Sequence, residues 1–173
     1  MATKQAAKSE PTNRGALAGL RVLDLSRVLA GPWASQLLGD LGAQVVKIER
    51  PGHGDDTRSW GPPFVGSPEE KRSAYFLSAN RNKRSVAIDF SQPRGGELVR
   101  RLVADADVVI ENFLPGTLAR YGLDYDSLQA IKPDLVYCSI TGFGQTGPDR
   151  DRGGYDLLIQ AMGGLMSVTG AAD

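Results

Sequence analysis

The residues able to do chemistry sit where apolar runs give way to loops. Ser26-Arg27-Val28-Leu29-Ala30-Gly31 follows the apolar run Leu20–Leu25 and leads into Pro32. A loop between a strand and the start of a helix offers backbone N–H groups to an anion, and it equally suits an ordinary strand-to-helix turn. Arg50 ends the second apolar run, and its planar guanidinium suits clamping a phosphate or stacking on a flat base. Asn80-Arg81-Asn82-Lys83-Arg84 precedes another short apolar run, as a basic contact or as a solvated turn. Glu111-Asn112-Phe113 ends the run from Val108 and is followed by Pro115-Gly116, with Arg120 a few residues on, able to point back at a phosphate. Tyr155-Asp156 opens an apolar helical segment after Gly153-Gly154. An acid in a first helical turn also simply favours the helix dipole. Two carboxylate pairs, Asp55-Asp56 and Glu69-Glu70, fall in a long loop and read as solvated acids.

Gly142-Phe143-Gly144-Gln145-Thr146-Gly147 spells G-x-G-x-x-G after a strand-like run. The dinucleotide version of this motif packs its third glycine in a helix whose N-terminus meets the pyrophosphate. Here Gly147 runs into Pro148-Asp149-Arg150-Asp151-Arg152, a loop, so a nicotinamide site is disfavoured.

The elements that must position these residues alternate. Strands are expected at Leu20–Leu25, Gln44–Glu49, Ser85–Asp89, Val108–Glu111 and Leu135–Ile140. Helices are expected at Trp33–Leu41, with Pro32 at its first position, and at Pro93–Ala104, where Leu98, Leu102 and Val103 share a face. Pro115–Tyr121 reads as a short helix ended by Gly122, and Tyr125–Ile131 as another, capped by Asp124. A last helix starts near Tyr155. The stretch Arg50–Arg72 reads as loop. This alternation predicts an α/β fold: a Rossmann-like parallel sheet with flanking helices. Ligands in such sheets bind outside the carboxyl ends of the strands, where most of the candidate residues fall. Residues 1–18 read as a flexible tail and 19–173 as one, partial, domain.

The 173 residues carry 20 basic and 20 acidic side chains, a formal net charge of +0, which argues against a nucleic-acid partner. One cysteine, Cys138, excludes a disulfide framework and reads as a buried structural thiol. With one histidine, His53, a His-rich metal site is excluded too. No apolar run approaches the about 20 residues of a membrane span. The first eighteen residues lack the apolar centre of a secretory signal, so a cytoplasmic location is expected. Lys4, Lys8 and Arg14 leave room for a mitochondrial matrix form.

Taken together, Arg27-Val28-Leu29-Ala30-Gly31-Pro32, Lys47-Ile48-Glu49-Arg50, Gly54-Asp55-Asp56-Thr57-Arg58, Asn82-Lys83-Arg84-Ser85, Glu111-Asn112-Phe113, Thr141-Gly142-Phe143-Gly144 and Gly154-Tyr155-Asp156 resemble the family III (CaiB/BaiF-type) CoA transferases, in the family's order. Trp60-Gly61-Pro62-Pro63-Phe64 and the stretch from Asp24 to Ala34 look most like its succinyl-CoA:glutarate branch. The resemblance implies an enzyme that moves CoA between an acyl-CoA and a small (di)carboxylic acid, through an aspartyl intermediate. Coenzyme A is then a substrate, and no tightly bound cofactor or metal is expected.

By the same resemblance, Arg27, Val28, Leu29 and Ala30 line the thiol end. Arg50 and Ile88 contact the adenine region. Asn112, Phe113 and Arg120 follow the pantetheine and phosphate path, and Tyr155 and Asp156 border the carboxylate pocket. The nucleophilic aspartate would follow Asp173, so no catalytic residue is expected in the chain, which alone would be inactive or serve as a non-catalytic CoA-binding piece. Related racemases carry a histidine base where Tyr155 stands, and a phenol is a poor base at neutral pH, which favours transfer. Full-length members are expected to interlock as homodimers.

Overall fold

The protein is described by a computed structural model covering residues 15–170. Five strands form one parallel sheet: β1 (Arg21–Asp24), β2 (Gln44–Glu49), β5 (Lys83–Ala87), β6 (Val108–Glu111) and β7 (Val136–Ser139). A two-stranded antiparallel ribbon joins β3 (Phe64–Val65) to β4 (Arg72–Ser73). The helices are α1 (Ala30–Asp40), α2 (Ala74–Ala79), α3 (Pro93–Ala104), α4 (Tyr125–Gln129) and α5 (Asp156–Met162). Short 3-10 turns lie at Asp56–Ser59, Leu118–Tyr121 and Leu165–Val168. The expected α/β fold is thus present.

The strand order is β5-β2-β1-β6-β7. The chain starts in the middle, steps outward to β2 and β5, then returns to lay β6 on the free side of β1. That reversal makes a switch point between β1 and β6, and the loops leaving the two strands open a crevice there.

Side chains alternate across β1, so it feeds two cores. Leu23 and Leu25 join Val99 and Val103 of α3, Leu128 of α4 and Val109 of β6 on one face. Val22 joins Val45, Ile110 and Leu38 of α1 on the other. Central parallel strands are covered on both faces, which makes a charge in them exceptional.

The elements at Gln44–Glu49, Pro93–Ala104 and Val108–Glu111 have the boundaries their sequence pattern predicts. The third main-sheet strand starts two residues earlier than expected, because Lys83 pairs with Val45. Helix α1 starts at Ala30, so Pro32 is its third residue, still within the turn whose N–H groups need no helical partner. Gly122 closes the 118–121 turn with φ of 63°, the left-handed geometry that glycine adopts without penalty. The stretch read as loop between Arg50 and Arg72 holds a 3-10 turn and a two-residue strand, and its last residue, Arg72, opens β4; α2 follows. Of the stretch read as a tail, residues 1–14 lie outside the described part. Residues 15–18 form a turn tied down by the Leu17 N–H donating to the Leu41 carbonyl at 2.9 Å.

Candidate functional site

The loop leaving β1 is fixed residue by residue from different strands. Asp24 Oδ1 accepts from the Ser26 N–H at 2.9 Å and from the Ser26 hydroxyl. The Asn112 side chain, just past β6, pairs with the Arg27 main chain in both directions: its Oδ1 accepts from Arg27 N at 2.8 Å, and its Nδ2 donates to Arg27 O at 2.7 Å. Val28 N–H donates to both carboxylate oxygens of Asp55 at 3.3 Å. Val28 has φ of 68°. A β-branched residue in that region is strained, by about 1–3 kcal/mol, and persists only where its surroundings over-determine it. The N–H groups that the sequence offers to an anion at Ser26, Arg27 and Val28 are therefore already used inside the protein.

Beneath this loop lies a buried charge network. Asp24, Lys47 and Asp55 are 0%, 1% and 2% exposed. Lys47 Nζ donates to the Ser26 carbonyl at 2.7 Å and pairs with Asp55 at 2.9 Å. Lys83 Nζ donates to Asp24 at 3.1 Å, to the Pro32 carbonyl at 2.7 Å and to Asn80 at 2.9 Å. Ser35 of α1 donates to the same Asp24 oxygen, Oδ2, at 2.6 Å. Burial pushes the Lys83 ammonium down to about 8, against the pull of Asp24. Burial also raises Asp55, but the Lys47 charge and the Thr57 hydrogen bonds outweigh it and hold Asp55 below the ordinary carboxylate value. The sequence reading of Asp55 as a solvated loop acid is thus corrected: an ammonium group from β2 lies under it, and an ion pair is what makes a buried carboxylate tolerable.

Glu49, at the end of β2, secures the loop that carries Asp55. Arg58 grips it through two hydrogen bonds of 2.6 Å, Ser85 donates at 2.6 Å, and the Asp55 N–H donates at 2.8 Å. Burial works against ionisation, yet these donors hold Glu49 down to about 2. The Arg58 guanidinium lies 3.8 Å from the centre of the Phe76 ring.

Around this frame opens a cleft of about 340 Å³ at the carboxyl edge of β1, β2, β5 and β6. Arg27, Arg50, Ile88 and Phe113 all line it, along with Ile48 and Phe90. Four of the sequence-selected residues are thus brought together. The Arg27 guanidinium sits 4.8 Å from the Phe113 ring centre, its Nη1 is 3.6 Å from Asp56, and its buried Nε has no hydrogen-bond partner among the described residues. Phe90 meets Phe113 edge-on at 5.8 Å. Flat apolar walls beside two guanidinium groups suit a ligand that joins a ring to anionic groups.

The other selected residues stand elsewhere. Val28, Leu29 and Ala30 belong to the fixed loop and the start of α1. Asn112 is engaged with the Arg27 main chain. Arg120 is exposed on the 118–121 turn, outside the cleft. Tyr155, 78% exposed, caps α5, and Asp156 is exposed in its first turn, accepting from Gln160 at 2.6 Å; neither lines the cleft. A neighbouring cleft of about 390 Å³ runs past Glu111, Tyr137, Ser139 and Gln145. Burial raises the Glu111 carboxyl there, although Ser139 and the Phe113 N–H both donate to it.

The G-x-G-x-x-G stretch is loop from end to end, with no helix before α5. A Cβ on Gly142 would come within 2.4 Å of the Gly154 Cα, so this glycine lets two backbones meet rather than cradling a phosphate. Cys138 is half-buried in β7. Among the described residues no group of three or more His, Cys, Asp and Glu could hold a metal, and no helix is long and apolar enough to cross a membrane.

Sequence reasoning missed Asp24, Lys47 and Lys83 as supports of the site. A signal was present: Asp24 stands between the apolar Leu23 and Leu25, and Lys47 between Val46 and Ile48. For Asp55 there was none, since its burial depends on where Lys47 falls in three dimensions.

Residues 17–173 match the model of CoA-transferase family III. The chain belongs to that family. It is 58% identical over 165 residues to the succinate–glutarate CoA-transferase of Agrobacterium fabrum, covering 94% of this chain and 41% of that protein. It is 52% identical over 163 residues to the human succinyl-CoA:glutarate CoA-transferase, covering 94% of this chain and 36% of that one. A crystal structure of a CaiB/BaiF family protein from Brucella suis superposes with a TM-score of 0.88 at 60% identity, covering 92% of this chain and 42% of the other. The chain spans about two fifths of the length of these relatives.

Proposed function

We propose that this family III chain supplies the CoA-binding region of an enzyme that transfers CoA between an acyl-CoA and a small dicarboxylate of the glutarate or succinate type. The observation that carries the reading is the cleft that gathers Arg27, Arg50, Ile88 and Phe113 at the carboxyl edge of the sheet. Its apolar walls suit adenine, Arg50 the neighbouring phosphates, and the fixed loop from Arg27 to Ala30 the thiol end. The names of the relatives support the dicarboxylate as acceptor. Transfer would run through an acylated aspartate located after Asp173, with Asn112 and Arg120 along the path of the CoA chain and Tyr155 and Asp156 bordering the acceptor. Exposed Tyr155, Leu157, Met162 and Leu165 support burial of this segment against further protein, as in an interlocked homodimer. The cytoplasm, or the mitochondrial matrix, suits such a partner set.

Calorimetry with CoA tests the reading. Arg50→Ala is expected to weaken CoA by about 1–3 kcal/mol, the scale of a charge-assisted hydrogen bond with its contacts. NAD should give no thermal stabilisation, since only a ligand of the folded state raises the melting temperature. Stabilisation by NAD and not by CoA would overturn the assignment.

A further inference from the structure

We propose that Asp55 is a positioning residue for the acyl-CoA site, acting by holding Val28 in its left-handed turn; this rests on the functional reading above. The turn is strained because Val28 is neither glycine nor asparagine, yet its φ is 68°. Three side chains hold three consecutive residues: Asp24 holds Ser26, Asn112 holds Arg27 and Asp55 holds Val28. Of these, only Asp55 acts on the strained residue itself.

Asp55 is in turn immobilised from every side. Lys47 pairs with it at 2.9 Å, Thr57 donates through its N–H at 3.0 Å and its hydroxyl at 2.7 Å, and its own N–H is tied to Glu49. The carboxylate thus transmits the position of β2 to a turn that leaves β1. What the turn carries explains the need. Before Val28, the Arg27 side chain lines the cleft. After it, Leu29, Ala30 and Gly31 open α1, where first-turn N–H groups have no helical partner. A relaxed φ at Val28 would re-aim both sides of the loop while leaving Arg50, Ile88 and Phe113 where they stand. The consequence is a difference of weight: Asp55 acts more on turnover, and Arg50, in the same cleft, more on CoA affinity.

The test uses the complete enzyme that carries this region, with kcat for CoA transfer and the Kd for CoA measured in parallel. Asp55→Asn should lower kcat at least tenfold, a larger factor than its effect on the Kd for CoA, whose cleft Arg27 and Asp55 line along with Arg50. Adding Val28→Gly should restore at least threefold of the lost kcat, because glycine adopts the turn without being forced. A purely structural role would move the melting temperature and yield no such rescue. Should Asp55→Asn fail to fold, Thr57→Val removes one orienting donor without unpairing Lys47. It should lower kcat two- to fivefold, again rescued by Val28→Gly. Wild-type kcat in the Asp55 or Thr57 variant, or a loss that Val28→Gly does not relieve, overturns the role given to Asp55. Absence of CoA transfer in the wild-type enzyme overturns the functional reading itself.

Discussion

Residues 22–26 are all buried, whereas no residue in 141–170 is. The first segment leads into the Arg27–Ala30 loop of the proposed site and the second holds its Tyr155 and Asp156, but the two are held by different physics. The first is the end of a central strand, and its one charge, Asp24, is paired with Lys47 of the adjacent β2 at 3.9 Å and with Lys83 of β5, one strand further out, at 3.1 Å. The second is a glycine-rich loop followed by α5, which exposes Tyr155, Leu157 and Met162, and a last turn that leaves Val168 80% exposed. A loop built on buried ion pairs is positioned by the core, and its precision is lost when the core chemistry changes. A segment with no fully buried side chain changes its exposed side chains at little cost to the fold around it.

The largest expected effect attacks the first region. Lys47→Met leaves Asp55 buried without its cation and should lower unfolding stability by about 3–5 kcal/mol, read from urea denaturation. A loss below 1 kcal/mol would mean that the network does not hold the loop.

An intermediate effect compares two acids that end neighbouring parts of the same sheet edge. Glu49 is held down to about 2 and Glu111 is raised by burial. Glu49 therefore contributes stability that is complete above its ordinary value of 4.5 and is lost as pH falls from there towards 2. Glu111 has the opposite sign: the folded state keeps its proton longer, so stability falls as pH rises from 4.5 through its raised value. Glu49→Gln should flatten the acid limb of the stability curve, and Glu111→Gln should remove the decline above 4.5. Equal pH profiles for the two variants would erase the distinction.

The smallest effect lies in the second region. Tyr155→Ala and Asp156→Asn should each change the stability of this chain by no more than about 0.5 kcal/mol, as exposed substitutions do. A thermal melt lowered by more than a few degrees would show that the segment carries weight the burial pattern does not reveal.

Much of the frame was legible. Gln44–Glu49 and Pro93–Ala104 carry their periods openly, and the structure reproduces their limits. The placing of Arg50 and Phe113 at one sheet edge followed from the rule that parallel sheets bind ligands at strand carboxyl ends, whereas Ile88 was pointed to only by the family resemblance. The 72–79 stretch was not legible, because a two-residue strand and a six-residue helix are too short to show a period. Nor was the state of Asp55: its carboxylate looks like any loop acid until the ammonium of Lys47 is seen 2.9 Å away.

The sequence by itself determined the alternation of strands and helices, the family motifs and the count of one cysteine and one histidine. These depend on neighbouring residues or on counting. The tertiary structure alone decided that β6 returns beside β1, so that Asn112 clamps Arg27 from 85 residues away. It also decided that Val28 is held left-handed, and that Glu49 and Glu111 titrate in opposite directions. Local patterns record the dihedral preferences of a segment. The strand order and the fate of each buried charge depend on which distant side chains arrive beside it, and no local pattern contains that.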